Sequence, residues 1–199
     1  ANHLGDLGAL GNDAALGFGL AQFSRLREDW LRLSAAAFGH RLMMDCIVPG
    51  GVAADLDAAM ARRLRHQCDA VEAEVRTLAT IYESHAGLQD RFATTGTVTP
   101  QLAAQLGLTG LAGRASGQGT DLRCDLPWAP YDRLGVTLSS HVNGDVAARV
   151  AVRFLETFES LRLVRRICQK LPFGELRAEV ATPRKAAIGA GWVEGWRDE

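Results

Sequence analysis

Asp13 is the residue whose surroundings are least ordinary for its chemistry. It falls in a stretch from Leu7 to Ser24 that carries no other charge, with Leu16 and Phe18 close by. A carboxylate among apolar side chains is costly unless it is paired or protonated, so we expect Asp13 to be buried with a partner or a proton. A proton-handling group and an acceptor of structural hydrogen bonds both fit this expectation, and composition alone favours the structural role.

One histidine and two arginines are the next candidates. His3 lies in the same apolar segment, but Leu7 stands where a second metal ligand on the same helix face would be, so we expect a packed core histidine, with a catalytic role as the alternative. Arg114, Asp121 and Arg123 fall in or beside a glycine-rich loop, where the planar guanidinium of arginine suits a paired carboxylate. The sequence predicts that these three side chains brace the loop or line a pocket.

Several other kinds of chemistry have little support. The four cysteines lie far apart without C-x-x-C spacing, so we expect the chain to bind no nickel or other metal. The segment 117–119, Gly-Gln-Gly, lacks the rest of a dinucleotide fingerprint. A net charge of −1 indicates no nucleic-acid partner. No uncharged apolar run reaches the roughly 18 residues that a membrane span needs.

Three long helices are predicted to position these residues. Apolar residues recur at helical spacing over about 2–38, 55–84 and 145–171. Residues 40–48 and the following Pro-Gly-Gly predict a short strand ended by a tight turn, and the tail 172–199 predicts further short strands. Together these patterns predict one domain over 1–199, a mainly α helical bundle with a minor β part.

The connection between the last two helices, residues 87–144, is long for a compact domain and holds a glycine-punctuated loop at 107–119. Loops of this length are usually functional or contact another subunit, so we expect exposed apolar surface near this loop and near both chain ends. Neither end carries a helix cap or a closing element, so we also expect the chain to be an internal piece of a longer protein.

Eight short segments, taken in order, resemble one family. They are Ala1–Ala9 with Asn12-Asp13, Gly39–Arg41, Pro49–Val52, Thr109–Gly117, Asp121–Arg123 with Pro127, Gly144-Asp145, Glu156–Leu161 and Val193–Arg197. Nearly the whole chain in this order resembles the large subunit of group 4 membrane-bound nickel–iron hydrogenases of the formate-hydrogenlyase type, and its homologue, the 49 kDa subunit of respiratory NADH:quinone oxidoreductase (complex I). Asp198 stands where the family usually has glycine.

The resemblance implies a fold like that of the nickel–iron hydrogenase large subunit and a role in an oxidoreductase complex. The subunit would couple electrons from iron–sulfur clusters on a partner, the iron–sulfur small subunit, to quinone or proton reduction, with NADH as a distant donor. It would be peripheral, on the cytoplasmic face of the membrane. The paired cysteine motifs that hold nickel in such hydrogenases would lie outside these residues, so we expect the isolated chain to be inactive and to bind no cofactor.

The resemblance also bears on Asp13. By its distance from Asn2-His3 and from Pro49–Gly51, Asp13 matches an acid that lies near the quinone pocket in the quinone-reducing members. This match favours proton or quinone chemistry for Asp13. A non-catalytic subunit that keeps the fold as a scaffold for docking other subunits is the competing interpretation of the whole chain.

Overall fold

The computed structural model describes residues 1–195, and within them the chain is mainly helical with one small sheet. The helices are α1 (Asn2–Asp13), α2 (Gly17–Phe38), α3 (Ala58–Ser84), α4 (Ala86–Phe92), α5 (Pro100–Leu106), α6 (Gly110–Ala115), α7 (Leu122–Asp125), α8 (Tyr131–Leu134) and α9 (Val146–Gln169). The strands β1 (Ile47–Val48) and β2 (Gly51–Val52) follow α2. The predicted mainly α class with a minor β part is confirmed.

The single helix predicted over residues 2–38 is wrong, because two helices joined by a tight turn occupy this range. α1 ends at Asp13, and the Leu16 amide donates back to the Gly11 carbonyl at 2.7 Å. Ala15 takes a positive φ of 68°, which interrupts the helix and reverses the chain. Apolar periodicity missed the turn because Ala14, Ala15 and Leu16 are ordinary helix formers.

Tyr82 of α3 fills the space between α1 and α2. Its hydroxyl donates to the Leu7 carbonyl at 2.8 Å, and a side chain at Gly11 or Gly19 would overlap that hydroxyl. The Tyr82 ring also meets Phe154 of α9 edge-to-face, with centroids 5.6 Å apart. The glycines of the uncharged segment therefore allow two helices to close around one buried ring.

The other two long helices, α3 and α9, pack along each other and lie close to their predicted ranges. Asp57 caps α3 by accepting from the Met60 amide, and Asp145 caps α9 by accepting from the Ala148 amide. Asp145 also accepts from the Thr94 amide at 2.8 Å, which ties the long connection to the start of α9.

The β part is a minimal hairpin. β1 and β2 pair antiparallel, with Val48 opposite Gly51 across the predicted turn. In the tail, the Leu176 carbonyl accepts from the Val52 amide and Arg177 forms an isolated bridge with Gly51. The short strands predicted for 172–199 reduce, up to residue 195, to this one bridge. Residues 196–199, which include part of the family motif, lie outside the described residues.

The glycine-punctuated segment 107–119 holds the short helix α6, and much of it is buried. Leu111 and Ala115 of α6 pack with Ala148 and Val152 of α9 into a small second core. Large exposed apolar side chains lie on α5 directly before this segment, around β1 and in the tail, among them Leu106, Met44, Ile47, Phe173, Ile188 and Trp192. Among the helices of residues 1–195, none combines the length and the apolar character that crossing a membrane requires.

Candidate functional site

Four of the five candidate residues come together at the start of α1. His3 lies in the first turn of α1, Arg114 lies near the end of α6, and Asp121 and Arg123 lie at the start of α7. Asp13 ends α1, and a rise of about 1.5 Å per residue places it about 15 Å from His3 along the helix axis. The structure therefore places His3 close to Arg114, Asp121 and Arg123, whereas Asp13 lies at the other end of α1.

Glu156 of α9 joins His3 to Arg114. Its Oε2 lies 3.2 Å from Nε2 of His3, and its Oε1 accepts from Nε of Arg114 at 2.6 Å. Nη1 of Arg114 in turn contacts Oε1 of Glu194 at 2.5 Å and donates to the Thr120 carbonyl at 3.0 Å. The side chains of Arg114 and Glu156 are only 4% and 5% exposed. The result is a linear polar network, His3–Glu156–Arg114–Glu194, with a buried centre.

Burial and charge act in opposite directions on this network. Burial raises the pKa of Glu156, but the hydrogen bond with His3 and the charge of Arg114 outweigh it, and the net pKa is lowered. Burial likewise lowers the pKa of Arg114, but Glu156 and Glu194 outweigh it, and the net pKa is raised. Glu156 is therefore an anion and Arg114 a cation at neutral pH.

A second ion pair holds α1 against α9 one helical turn away. Nε of Arg153 on α9 lies 3.2 Å from Oδ2 of Asp6 on α1, and the Asp6 side chain is buried. His3 and Asp6 are three positions apart on α1, as are Arg153 and Glu156 on α9, so both contacts lie on the same faces of two antiparallel helices. The pair keeps His3 in register with Glu156.

Asp121 and Arg123 form a separate pair within the connection. Nε and Nη2 of Arg123 donate to the two carboxylate oxygens of Asp121 at 2.9 and 2.6 Å, and the Arg123 amide caps onto the same carboxylate. Burial raises the pKa of Asp121, but Arg123 outweighs it, so the net pKa is lowered. This two-point pair holds the chain at the start of α7 beside the network.

A cavity of about 660 Å³ opens beside the network, and His3, Arg114, Arg123 and Glu156 line it. Aromatic side chains complete its walls: Trp128, Tyr131 and Trp192. Its volume falls within the range of about 300–1,000 Å³ that small-molecule sites occupy. A titratable imidazole, a fixed anion and aromatic walls together can hold a planar ligand and exchange a proton with it.

The expectation that Asp13 is buried is wrong, because its side chain is exposed at the end of α1. The buried face of α1 carries Leu4, Leu7 and Gly11, and Asp13 follows Leu4 by about two and a half turns, which places it on the opposite side of the helix. The acid that α1 does bury is Asp6. The functional role of Asp13 stays a prediction.

The residues described here do not fit a nickel–iron centre. Within residues 1–195, no three His, Cys, Asp or Glu side chains are grouped so that they could hold a metal ion. Cys68, Cys124 and Cys168 lie on three different helices, and Cys46 precedes β1. No chemical step is therefore assigned to such a centre in this chain.

Sequence reasoning missed Glu156 and Glu194 as parts of the site. Glu156 was noted only as part of a family motif and not as a site residue. A second row of buried residues along α9 could have pointed to it. Ala148, Val152 and Glu156 follow one another at four-residue spacing, and all three are buried. A carboxylate that continues a buried apolar stripe must meet a cation, and a search for such a partner leads to Arg114.

Comparison of the fold defines the class of protein. The structure is similar to a chain of the membrane-bound sulfane sulfur reductase, an archaeal respiratory membrane complex, with a TM-score of 0.83 and 21% sequence identity over 92% of this chain and 50% of that one. At this identity the likeness shows a shared fold. This chain thus shares its fold with a chain of a respiratory membrane complex.

Sequence comparison then gives the family. Residues 15–192 match the 49 kDa subunit of respiratory-chain NADH dehydrogenase, and the chain belongs to this family. It is 31% identical over 194 residues to a subunit of the NADH-quinone oxidoreductase of Paramagnetospirillum magneticum, covering 94% of this chain and 48% of the relative. It is 30% identical over 174 residues to the carbon monoxide-induced hydrogenase of Rhodospirillum rubrum, covering 87% of this chain and 48% of the relative.

The family identification made from the sequence motifs is confirmed. The relatives include both kinds of protein that the resemblance named, a subunit of a quinone oxidoreductase and a hydrogenase. The chain spans about half the length of the curated relatives it matches.

Proposed function

We propose that this chain is the central part of a large subunit that couples electron transfer to quinone or proton reduction in a membrane-associated oxidoreductase complex. The observation that carries the proposal is the ion network at the cavity, in which His3 contacts the buried carboxylate of Glu156 at 3.2 Å. An imidazole beside a fixed anion can take up a proton and share its charge. Reduction of a quinone or of protons requires such a supply of protons at the acceptor.

The other participants follow from the family and are part of the same proposal. Iron–sulfur clusters on a partner subunit, the iron–sulfur small subunit, would deliver the electrons, and NADH would be a distant donor. The subunit would sit on the cytoplasmic face of the membrane, in contact with other subunits of the complex. Within the cavity, Trp128 and Tyr131 would stack on a planar acceptor while His3 faces its polar edge.

Asp13 is proposed to act in proton or quinone chemistry at a surface that neighbouring chains of the complex cover. The otherwise uncharged character of its segment and the resemblance of that segment to the family motif support this role. Its exposure in the described structure means that a partner, and not the core of this chain, would supply the apolar surroundings. His3 and Asp13 lie at opposite ends of α1, and each would then handle protons at its own position.

The test is turnover of the assembled complex with Asp13→Asn, which keeps the shape and removes the titratable group. We expect turnover with quinone or protons as acceptor to fall by about 10²–10⁴-fold, the usual contribution of a positioned proton-transfer group. Asp90→Asn is the matched control, since Asp90 is an exposed acid near the end of helix α4. Equal turnover of the two variants would remove Asp13 from the mechanism.

A scaffold subunit without catalytic residues is the second candidate, and the exposed position of Asp13 is the observation that favours it. A scaffold would tolerate both Asp13→Asn and His3→Gln in the assembled complex, whereas a coupling subunit loses turnover with at least one of them. Measuring both variants against Asp90→Asn therefore separates the two functions.

A further inference from the structure

The two oxygens of the Glu156 carboxylate have different partners, and both oxygens can act only as hydrogen-bond acceptors. Oε1 accepts from Nε of Arg114 at 2.6 Å, and a guanidinium has no acceptor to offer in return. Oε2 faces Nε2 of His3 at 3.2 Å. Because the hydrogen bond with His3 and the charge of Arg114 lower the pKa of Glu156 in spite of burial, this second oxygen also belongs to an anion and can only accept.

Because the Glu156 carboxylate can only accept a hydrogen bond, it determines which nitrogen of the neutral His3 imidazole carries the hydrogen. Nε2 of His3 must carry the hydrogen, since two acceptors facing each other would repel. Nδ1 of His3 is then left with its lone pair. This atom is shielded from solvent and has no hydrogen-bond partner among residues 1–195. The unpartnered atom is thus an acceptor on a residue that lines the cavity.

We propose that Glu156 is a positioning residue that holds neutral His3 as the Nε2–H tautomer and so leaves Nδ1 as the basic nitrogen of the ring. Asp6 and Arg153 support this arrangement by keeping α1 in register with α9. An imidazolium formed by protonation of Nδ1 would lie against the Glu156 anion. The use of this proton in turnover rests on the proposed function, whereas the tautomer does not.

The tautomer is measured by nitrogen-15 NMR of the imidazole in this chain, at about pH 8, where an ordinary histidine is neutral. Loss of one signal pair in His3→Gln assigns the resonances. We expect the wild-type chain to show a protonated Nε2 and a bare Nδ1 at His3. A wild-type spectrum with the hydrogen on Nδ1 of His3 would overturn the proposal.

Glu156→Gln gives the sharper result, because it should reverse the tautomer. The amide oxygen of glutamine must stay on Arg114, which leaves the amide nitrogen, a donor, facing His3. Nε2 then has to accept, and the hydrogen moves to Nδ1. Glu159→Gln is the matched control, since Glu159 is a buried carboxylate on the same helix that binds Arg162 instead. A Glu156→Gln chain that keeps the wild-type tautomer would show that Glu156 does not set it.

The turnover of the assembled complex provides a second, independent test. With Glu156→Gln we expect kcat to fall by on the order of 10²-fold at unchanged KM, and with Glu159→Gln we expect no comparable loss. A reversed tautomer with normal turnover would remove His3 from the proposed function and leave the positioning by Glu156 intact. A wild-type tautomer in the Glu156→Gln chain would overturn the positioning, whatever the turnover.

Discussion

At the scale of single residues, Arg114 holds the site together through its contacts with two carboxylates. It binds Glu156 and Glu194, and it also donates to the Thr120 carbonyl. Taking charges out of water is costly, and the cost is offset only when each ion keeps its partner. The site therefore depends on a complete set of partners more than on any one contact.

Arg114→Ala should destabilise the chain by about 3–5 kcal/mol, because it leaves Glu156 buried beside a vacancy and Glu194 without its cation. The free energy of unfolding from urea denaturation measures the effect. Arg133→Ala is the control, since Arg133 is 85% exposed and pairs with its sequence neighbour Asp132, so about 0–1 kcal/mol is expected there. Similar losses for the two variants would contradict the account of a buried network.

The sequence predicted part of this site and missed its centre. Arg114, Asp121 and Arg123 were recognisable because arginines beside an acid in a glycine-rich loop indicate ion pairs. Which carboxylate Arg114 binds was not, because Glu156 lies 42 positions away on α9. The prediction that Asp13 is buried was wrong for a related reason. Apolar neighbours along the chain do not indicate which side of a helix faces the core.

At the scale of elements, the hairpin of α1 and α2 is shaped by the ring that it encloses. Tyr82 enters from α3, and the backbone at Gly11 and Gly19 approaches its hydroxyl closely. The long helical stretch was predictable from apolar spacing, but its turn at Ala15 was not. Residues 12–16, which form the turn, contain neither proline nor glycine. The cause of the turn is tertiary, since it lets two helices pack around Tyr82.

Gly11→Ala should destabilise the chain by about 1–3 kcal/mol, because the new methyl group overlaps the Tyr82 hydroxyl and forces the hairpin or the ring to shift. Gly17→Ala is the matched control: no atom lies within 4 Å of a methyl group there, so this change should be neutral or stabilise by up to about 1 kcal/mol. The thermal unfolding temperatures of the two variants provide the comparison.

A double-mutant cycle with Tyr82→Phe identifies the cause of that loss. Removing the hydroxyl costs the hydrogen bond to the Leu7 carbonyl, about 0.5–1.5 kcal/mol, but also makes room for the methyl group. Gly11→Ala should therefore cost less in the Tyr82→Phe background than in the wild type. Strict additivity would mean that the helix hairpin, and not the ring, resists the substitution.

At the scale of the whole molecule, titratable groups with shifted pKa values are spread from the N-terminus to α9. Among residues 1–195, five carboxyls have lowered pKa values: Glu28, Glu72, Asp121, Glu156 and Glu159. Hydrogen bonds from Arg41 and Arg32 lower the pKa of Glu28 to about 2. In the opposite direction, burial raises the pKa of Cys68 to about 12 and that of Tyr82 to about 12.

These shifts predict a loss of stability at acid pH and another at alkaline pH. A carboxyl whose pKa is lowered on folding stabilises the native state above its ordinary value, 4.5 for Glu and 3.8 for Asp, and this stability is lost as the pH falls towards 2. Cys68 and Tyr82 contribute fully below their ordinary values of 9.0 and 10.0, and their contribution is lost as the pH rises towards 12. Calorimetry should therefore show an unfolding temperature that falls below about pH 4.5 and falls again above about pH 9. The alkaline fall should be smaller in Tyr82→Phe, and an unfolding temperature that holds down to pH 2 would contradict the assignment of the carboxyl shifts.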